Sequence, residues 1–226
     1  MSSDTNPPPV NPVRAPAAGD GRPVPSAPRR PQSDDHRSRL LQGMARSVAD
    51  KGYADTTIAD IVRIAGVSRR TFYEHFVSKA DCLLALYSAA SRRALSVLEQ
   101  AIDPSQDWRA QVPRVLRAYL DCLGESPLLL RTLFIEILSL GEAGLRVRRQ
   151  ANNEIAGFLQ RRLNVARPPE TAGRFDASTA TALVGAVNEL VLQAIEEGRT
   201  ARLGELAEPA ARIVLALADA EPPSQV

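Results

Sequence analysis

Apolar residues in this chain recur at three- and four-residue spacing from Leu40 almost to its end, and nowhere do they alternate as in a strand. Helical side chains return to one face every 3.6 residues and strand side chains every two, so the pattern selects helices. The expected fold class is therefore all-α, with about nine helices. A first helix carries Leu40, Leu41, Met44, Ala45 and Val48 on one stripe. Lys51-Gly52 is suited to end it, with a cation beside the last carbonyls and a glycine for a left-handed cap. Thr56 or Thr57 caps a short second helix whose Ile58, Ile61, Val62 and Ala65 face inward, and Gly66 ends it. Ser68 caps a third helix two residues later. Ser78 caps a long fourth one, running through Leu83, Leu86, Tyr87, Leu95 and Leu98 without a proline or glycine. Further helices are expected over about 107–124, from Pro127 through Ile137, over about 142–163, from near Asp176, and after Gly198 with Pro209 in a first turn. The stretch "VARPPETAGRFD" reads as a loop.

With 226 residues the chain can bury a sizeable core. Residues 1–33 stand apart: nine of the 17 prolines lie there, among Ala, Ser and Arg and few large apolar side chains. Such a segment is expected to stay disordered, because it cannot bury enough surface to offset its ordering entropy. Its Arg14, Arg22, Arg29 and Arg30 leave two readings open, a solvated tail or a basic arm on DNA. The net charge is only +2, so a nucleic-acid surface has to be a local patch. The N-terminus has no apolar signal-peptide region, and apolar runs such as "LVGAV" are too short to span a bilayer, so no membrane partner is expected. Cys82 and Cys122 lack zinc-ligand spacing and read as core residues of a reduced, cytoplasmic protein.

The stretch "GVSRRTFYEHF" concentrates the scarce aromatic residues beside two arginines. Two short helices joined by "AGVS" have the spacing of a helix-turn-helix, whose turn needs a glycine to leave one helix in a left-handed conformation. Arg69, Arg70 and Thr71 then fill the first turn after the Ser68 cap, the end of a recognition helix that enters the major groove. Phe72 and Phe76 lie on the opposite face as core, while Tyr73 and His75 flank the outer one. An arginine pairs with guanine O6 and N7 through two hydrogen bonds. The Thr71 and Tyr73 hydroxyls and the His75 ring can donate to phosphates. The N–H groups of the helices begun by Thr57 and Ser78, with Lys79 adjacent, suit phosphates too.

Residues 40–79 resemble the DNA-binding domain of the tetracycline-repressor (TetR) family. The matching pieces are "KGY", "TTIADI", "AGVS", "TFYEHF" and "SK", in order and at that family's spacing. One departure is Val48, where the family usually has a phenylalanine before "KGY". The resemblance implies that Tyr73, His75 and Lys79 contact the DNA backbone and that Arg69, Arg70 and Thr71 lie near bases. It also implies a homodimer on a palindromic operator, with C-terminal helices that sense a ligand. The domains expected are an arm over 1–33, the helix-turn-helix domain over 34–80 and a helical effector-binding and dimerisation domain over 81–226.

The last two helices resemble that family's four-helix dimer seam. Residues 180–195 are apolar on more than one stripe, and Ala182, Gly185 and Ala186 would let a partner helix approach closely. An effector cavity is expected among the helices between 81 and 195. Candidate lining residues are Tyr87, Trp108, Tyr119, Cys122, Phe134, Glu136 and Asn188, for a small hydrophobic or amphipathic molecule. The two histidines form no triad, and there is no Gly-rich phosphate loop or paired metal-ligand set, so neither an enzyme nor a cofactor or metal is expected. The function read is a ligand-responsive repressor binding double-stranded DNA. Its rival is an architectural or co-regulatory DNA-binding dimer that senses nothing, which a C-terminal core without a cavity would favour.

Overall fold

In a computed structural model, residues 30–165 and 175–219 are described, and among them there are nine α-helices and no strand. The helices are α1 (Arg30–Asp55), α2 (Ile58–Ala65), α3 (Arg69–His75), α4 (Lys79–Ala101), α5 (Trp108–Gly124), α6 (Pro127–Phe134), α7 (Glu142–Val165), α8 (Ala177–Glu196) and α9 (Ala207–Asp219), with 3-10 segments at Glu136–Leu140 and Thr200–Leu206. The arm ahead of Arg30 and most of the expected loop, residues 166–174, lie outside the described residues.

Side-chain caps set most helix starts. Thr57, Ser68, Ser78, Asp107, Ser126 and Asp176 each accept the backbone N–H three residues on, satisfying one of the four donors that a helix N-terminus leaves free. Thr57 rather than Thr56 caps α2, and Asp60 returns the bond to the Thr57 N–H to close a capping box. Gly66 ends α2 in the left-handed conformation, at φ 62 and ψ 40. Its N–H donates to Arg63 O and that of Val67 to Val62 O, the two bonds of a Schellman motif.

Four expectations need correction. First, α1 begins at Arg30, so the last residues assigned to the arm are helical. Second, Gly52 breaks α1 at φ 79 and ψ 165, outside the left-handed helical region, and a helical turn follows it to Asp55. Lys51 reaches away from those carbonyls to Asp60 at 2.7 Å. Third, α6 stops at Phe134, and Ile137 sits on the 3-10 segment that follows. That segment lies so close to α7 that a Cβ on Gly144 would stand 1.9 Å from the Ile137 carbonyl oxygen. Fourth, α8 as a whole is long and apolar enough by composition to cross a bilayer, although its individual apolar runs are short. Here Ala180, Leu183, Val184, Val187, Val191 and Ala194 are buried in the core.

Two hydrophobic cores result. The first joins Leu40, Met44, Val48, Ile61, Phe72 and Phe76 to Cys82, Leu83, Leu86 and Tyr87 on α4. It also takes in Leu133, Ile137 and Ala151, so this core does not close at residue 80. Val48 is buried there, at the position of the missing phenylalanine. The second core gathers Ala94 and Leu98 with the inward faces of α5, α7, α8 and α9. The helix α4 belongs to both.

Candidate functional site

The outer face of α3 is the first candidate. Phe72 and Phe76 are buried, their ring centroids 5.7 Å apart, and they hold α3 against α1 and α2. The opposite side is therefore turned to solvent. Arg69 and Arg70 are exposed, and Tyr73 is 54% exposed with its ring edge-on to Phe72 at 5.5 Å. Arg69 has no partner among the described residues, whereas Arg70 Nε donates to Glu74 Oε1 at 3.2 Å. That pair is exposed and belongs to the weak surface class, so it orients Arg70 without holding it from a stronger acceptor.

Other expected DNA residues are tied into the fold. The Thr71 hydroxyl pairs with the Ser68 hydroxyl at 2.9 Å, so both belong to the α3 cap. His75 is half-buried, its ring edge-to-face with His36 at 6.4 Å. Thr57 donates its hydroxyl to Asp60 at 2.5 Å. Asp60 also accepts from Lys51, and these hydrogen bonds, that of Lys51 first, hold its carboxyl far below the usual carboxylate range. An anion thus already occupies the N-terminus of α2, the place expected to suit a phosphate.

Lys79 departs most from expectation. Its ammonium donates to the carbonyls of Tyr53 at 2.8 Å, Ala54 at 3.2 Å and Thr56 at 2.7 Å, and lies 4.3 Å from the Tyr53 ring centroid. An ammonium has three donors, so contact with a phosphate requires giving up one of these bonds. Lys79 caps the end of α1, the role expected of Lys51.

The second candidate is a cavity of about 380 Å³ between the α4–α5 connection, α5 and α7. Leu98, Trp108, Val112, Leu116, Phe158 and Leu159 are among its walls, and Asp103, Asp107 and Arg162 are among its polar lining. Gln111 also lines it, with its amide committed to Asp103 and Gln106 backbone atoms. A smaller void of about 30 Å³, sharing Leu98, Leu116, Leu159 and Val214, is bordered by Tyr119 and Asn188. Burial pushes the Tyr119 hydroxyl well up from its ordinary range, so it stays neutral. Asn188 donates to Asn152 at 3.2 Å.

Of the side chains expected to line an effector cavity, Trp108 lines the larger one, and Tyr119 and Asn188 border only the small void. The others do not, each for a local reason. Tyr87 is packed in the first core, and Phe134 packs against both cores. Cys122, on α5, has Arg93 and Glu125 as charged neighbours. Glu136 accepts the Tyr53 N–H at 2.8 Å. Most walls are aliphatic residues at helical spacing, such as Val112 and Leu159, which in sequence look like any other core position.

On α8, Ala182 and Gly185 are exposed and Ala186 is half-buried. A Cβ added at Gly185 would meet nothing within 4 Å among the described residues.

Residues 40–86 match the family "Bacterial regulatory proteins, tetR family". The chain is 32% identical over 100 residues, 43% of its length and 46% of the relative's, to the HTH-type transcriptional regulator EthR of Mycolicibacterium smegmatis. It is 30% identical over 88 residues, 39% of its length and 40% of the relative's, to the HTH-type transcriptional activator FasR of the same organism. The chain thus spans about half the length, or less, of these curated relatives. A crystal structure of the transcriptional regulator FadR from Bacillus subtilis, in complex with stearoyl-CoA, superposes with a TM-score of 0.63 at 17% identity, covering 79% of this chain and 97% of that one. The matched family and these relatives are transcriptional regulators, not enzymes.

Proposed function

We infer that this chain, which belongs through residues 40–86 to the tetR family of bacterial regulatory proteins, is a ligand-responsive repressor that binds a palindromic operator as a homodimer. The observation that carries the DNA reading is the division of α3. Phe72 and Phe76 anchor one face while Arg69, Arg70 and Tyr73 stand on the other, the arrangement a major-groove helix requires. Arg69 and Arg70 read base edges, Tyr73 and His75 meet the backbone, and Thr57, Ser68, Thr71 and Lys79 hold the helices in register. Such a regulator acts in the cytoplasm, where the DNA is.

Dimerisation is supported by α8, whose apolar surface extends beyond its core face to the exposed Ala182 and Gly185. A second copy packing there supplies the paired recognition helices that a palindrome needs. The cavity supports ligand sensing over the architectural reading, because its volume lies within the range of roughly 300–1,000 Å³ typical of small-molecule sites and its walls are mostly apolar. An amphipathic molecule with an apolar body suits it, and acyl thioesters are the first class to screen, since the FadR neighbour holds stearoyl-CoA.

The test is selection of duplexes from a random library by the purified protein, followed by binding of the recovered duplex at several salt concentrations. The expected result is a palindrome with half-sites about one helical turn apart and an affinity that falls steeply with salt. A recovered pool with no shared motif would overturn the reading.

A further inference from the structure

The two ends of α7 touch different parts of the protein. Its C-terminal half contributes Phe158, Leu159, Arg162 and Leu163 to the cavity wall. Its first turn holds the 3-10 segment Glu136–Leu140 at Gly144, where backbone meets backbone too closely to admit a Cβ. From Gly144 to Phe158 is about 21 Å along the axis at 1.5 Å per residue. A helix that moves as a rigid rod carries a displacement of the cavity wall to that contact.

The 3-10 segment in turn grips the DNA-binding helices. Ile137 is fully buried in the first core, and Glu136 beside it reaches the break in α1. Because Gly52 leaves the helix at ψ 165, the Tyr53 N–H is taken by Glu136 Oε2 at 2.8 Å rather than by α1. The Glu136 carboxylate lies over Gly52, with Oε1 3.6 Å from where a Cβ would stand. From there the bonds run on without interruption. Thr56 Oγ1 donates to Gly52 O at 2.7 Å, Thr56 N–H to Tyr53 O at 3.3 Å, and Thr57 caps α2. Lys79 holds the same short stretch through the Tyr53 and Thr56 carbonyls.

We propose that the Glu136–Tyr53 hydrogen bond is a latch through which α7 reports the state of the cavity to the helix-turn-helix, alongside α4. The proposal rests on the reading of the cavity as a sensing site. A shift of α7 displaces the 3-10 segment, moves Glu136 relative to Tyr53 and re-aims the start of α2, and α3 follows because Phe72 shares the core of α2. The coupling equals the difference in latch strength between the two cavity states. Glu136 is a positioning residue and touches no DNA.

The test needs no identified effector. Val112→Trp fills the cavity from α5 and Leu159→Trp fills it from α7, each standing in for a bound molecule; if one fails to fold, the other serves. Each is made in the parent, Glu136→Ala and Glu136→Gln backgrounds. Affinity is measured for the duplex recovered by selection, and amide exchange at Tyr53 is followed. Glu136→Ala alone speeds that exchange by roughly threefold to tenfold, the loss of one hydrogen bond. In the parent, a filled cavity weakens duplex binding by roughly fivefold or more. The latch predicts that this effect falls below about twofold with Glu136→Ala and largely survives with Glu136→Gln, which keeps an acceptor at the same reach. An equal loss of affinity on filling the cavity in the Glu136→Ala and parent backgrounds overturns the latch and leaves sensing through α4 intact. No effect of either filler in the parent, with the fold retained, overturns the sensing reading itself and the latch with it.

Discussion

The ammonium of Lys79 donates to the Thr56 carbonyl at 2.7 Å, linking the first turn of α4 to the entry of α2. Together with its bonds to Tyr53 and Ala54, this makes Lys79 a cross-brace between the long helix and the DNA-binding helices. Lys79→Ala is expected to lower unfolding free energy by about 1.5–3 kcal/mol, the range for hydrogen bonds to a charged group. The slope of log affinity against log salt should stay unchanged. Urea melts and a salt titration on one duplex check both. A slope flatter by about one unit at unchanged stability means that Lys79 neutralises a phosphate instead.

Phe72 and Tyr73 are neighbours with opposite roles. Phe72→Ala removes a fully buried ring and is expected to cost about 3–5 kcal/mol, read as a lower denaturation midpoint. Tyr73→Phe removes one hydroxyl from an exposed ring, so stability should hold while binding weakens evenly across DNA sequences. A change in preferred bases with Tyr73→Phe would move that residue into the reading group.

Asp60 makes stability depend on acid. Its folded pKa is depressed below the unfolded value of about 3.9, so its contribution is complete above pH ~4 and is lost as pH falls below that. Thermal melts from pH 7 to pH 3 should show the parent losing more than Asp60→Asn, which keeps an acceptor and carries no charge. Parallel acid limbs would mean that the Lys51 and Thr57 bonds do not depress the Asp60 carboxyl in the folded protein.

The difference between what could and could not be read in the sequence follows sequence separation. Gly66, the Ser68 cap and the split between Phe72 and Arg69 depend on residues within one or two turns, and local chemistry decides them. The break at Gly52 was legible as a glycine, but its conformation depends on Glu136, 83 residues after Tyr53. The Lys79 brace is hidden in sequence for the same reason: its acceptors lie 23 to 26 residues earlier in the chain, and nothing local marks a half-buried lysine that holds backbone carbonyls. The cavity was legible only where a large side chain marked it, as at Trp108. Its aliphatic walls differ from filled core only in what fails to pack against them.

Glu74 gives a graded control on base reading. Glu74→Ala frees Arg70 from its ion pair with Glu74 and should leave operator preference intact, changing affinity by no more than about 1 kcal/mol, the worth of an exposed pair. A shifted preference at one base position would show that Glu74 aims Arg70.

If the outer face of α3 reads base sequence as proposed, the double variant Arg69→Ala, Arg70→Ala removes that reading. The parent and the variant are titrated with the selected duplex and with a scrambled duplex of the same composition, at one salt concentration. Each arginine–guanine pair lost removes about 1–3 kcal/mol of discrimination. The variant is expected to bind both duplexes nearly alike while melting at the parent's temperature. A variant that still prefers the selected duplex by the parent's factor would contradict it.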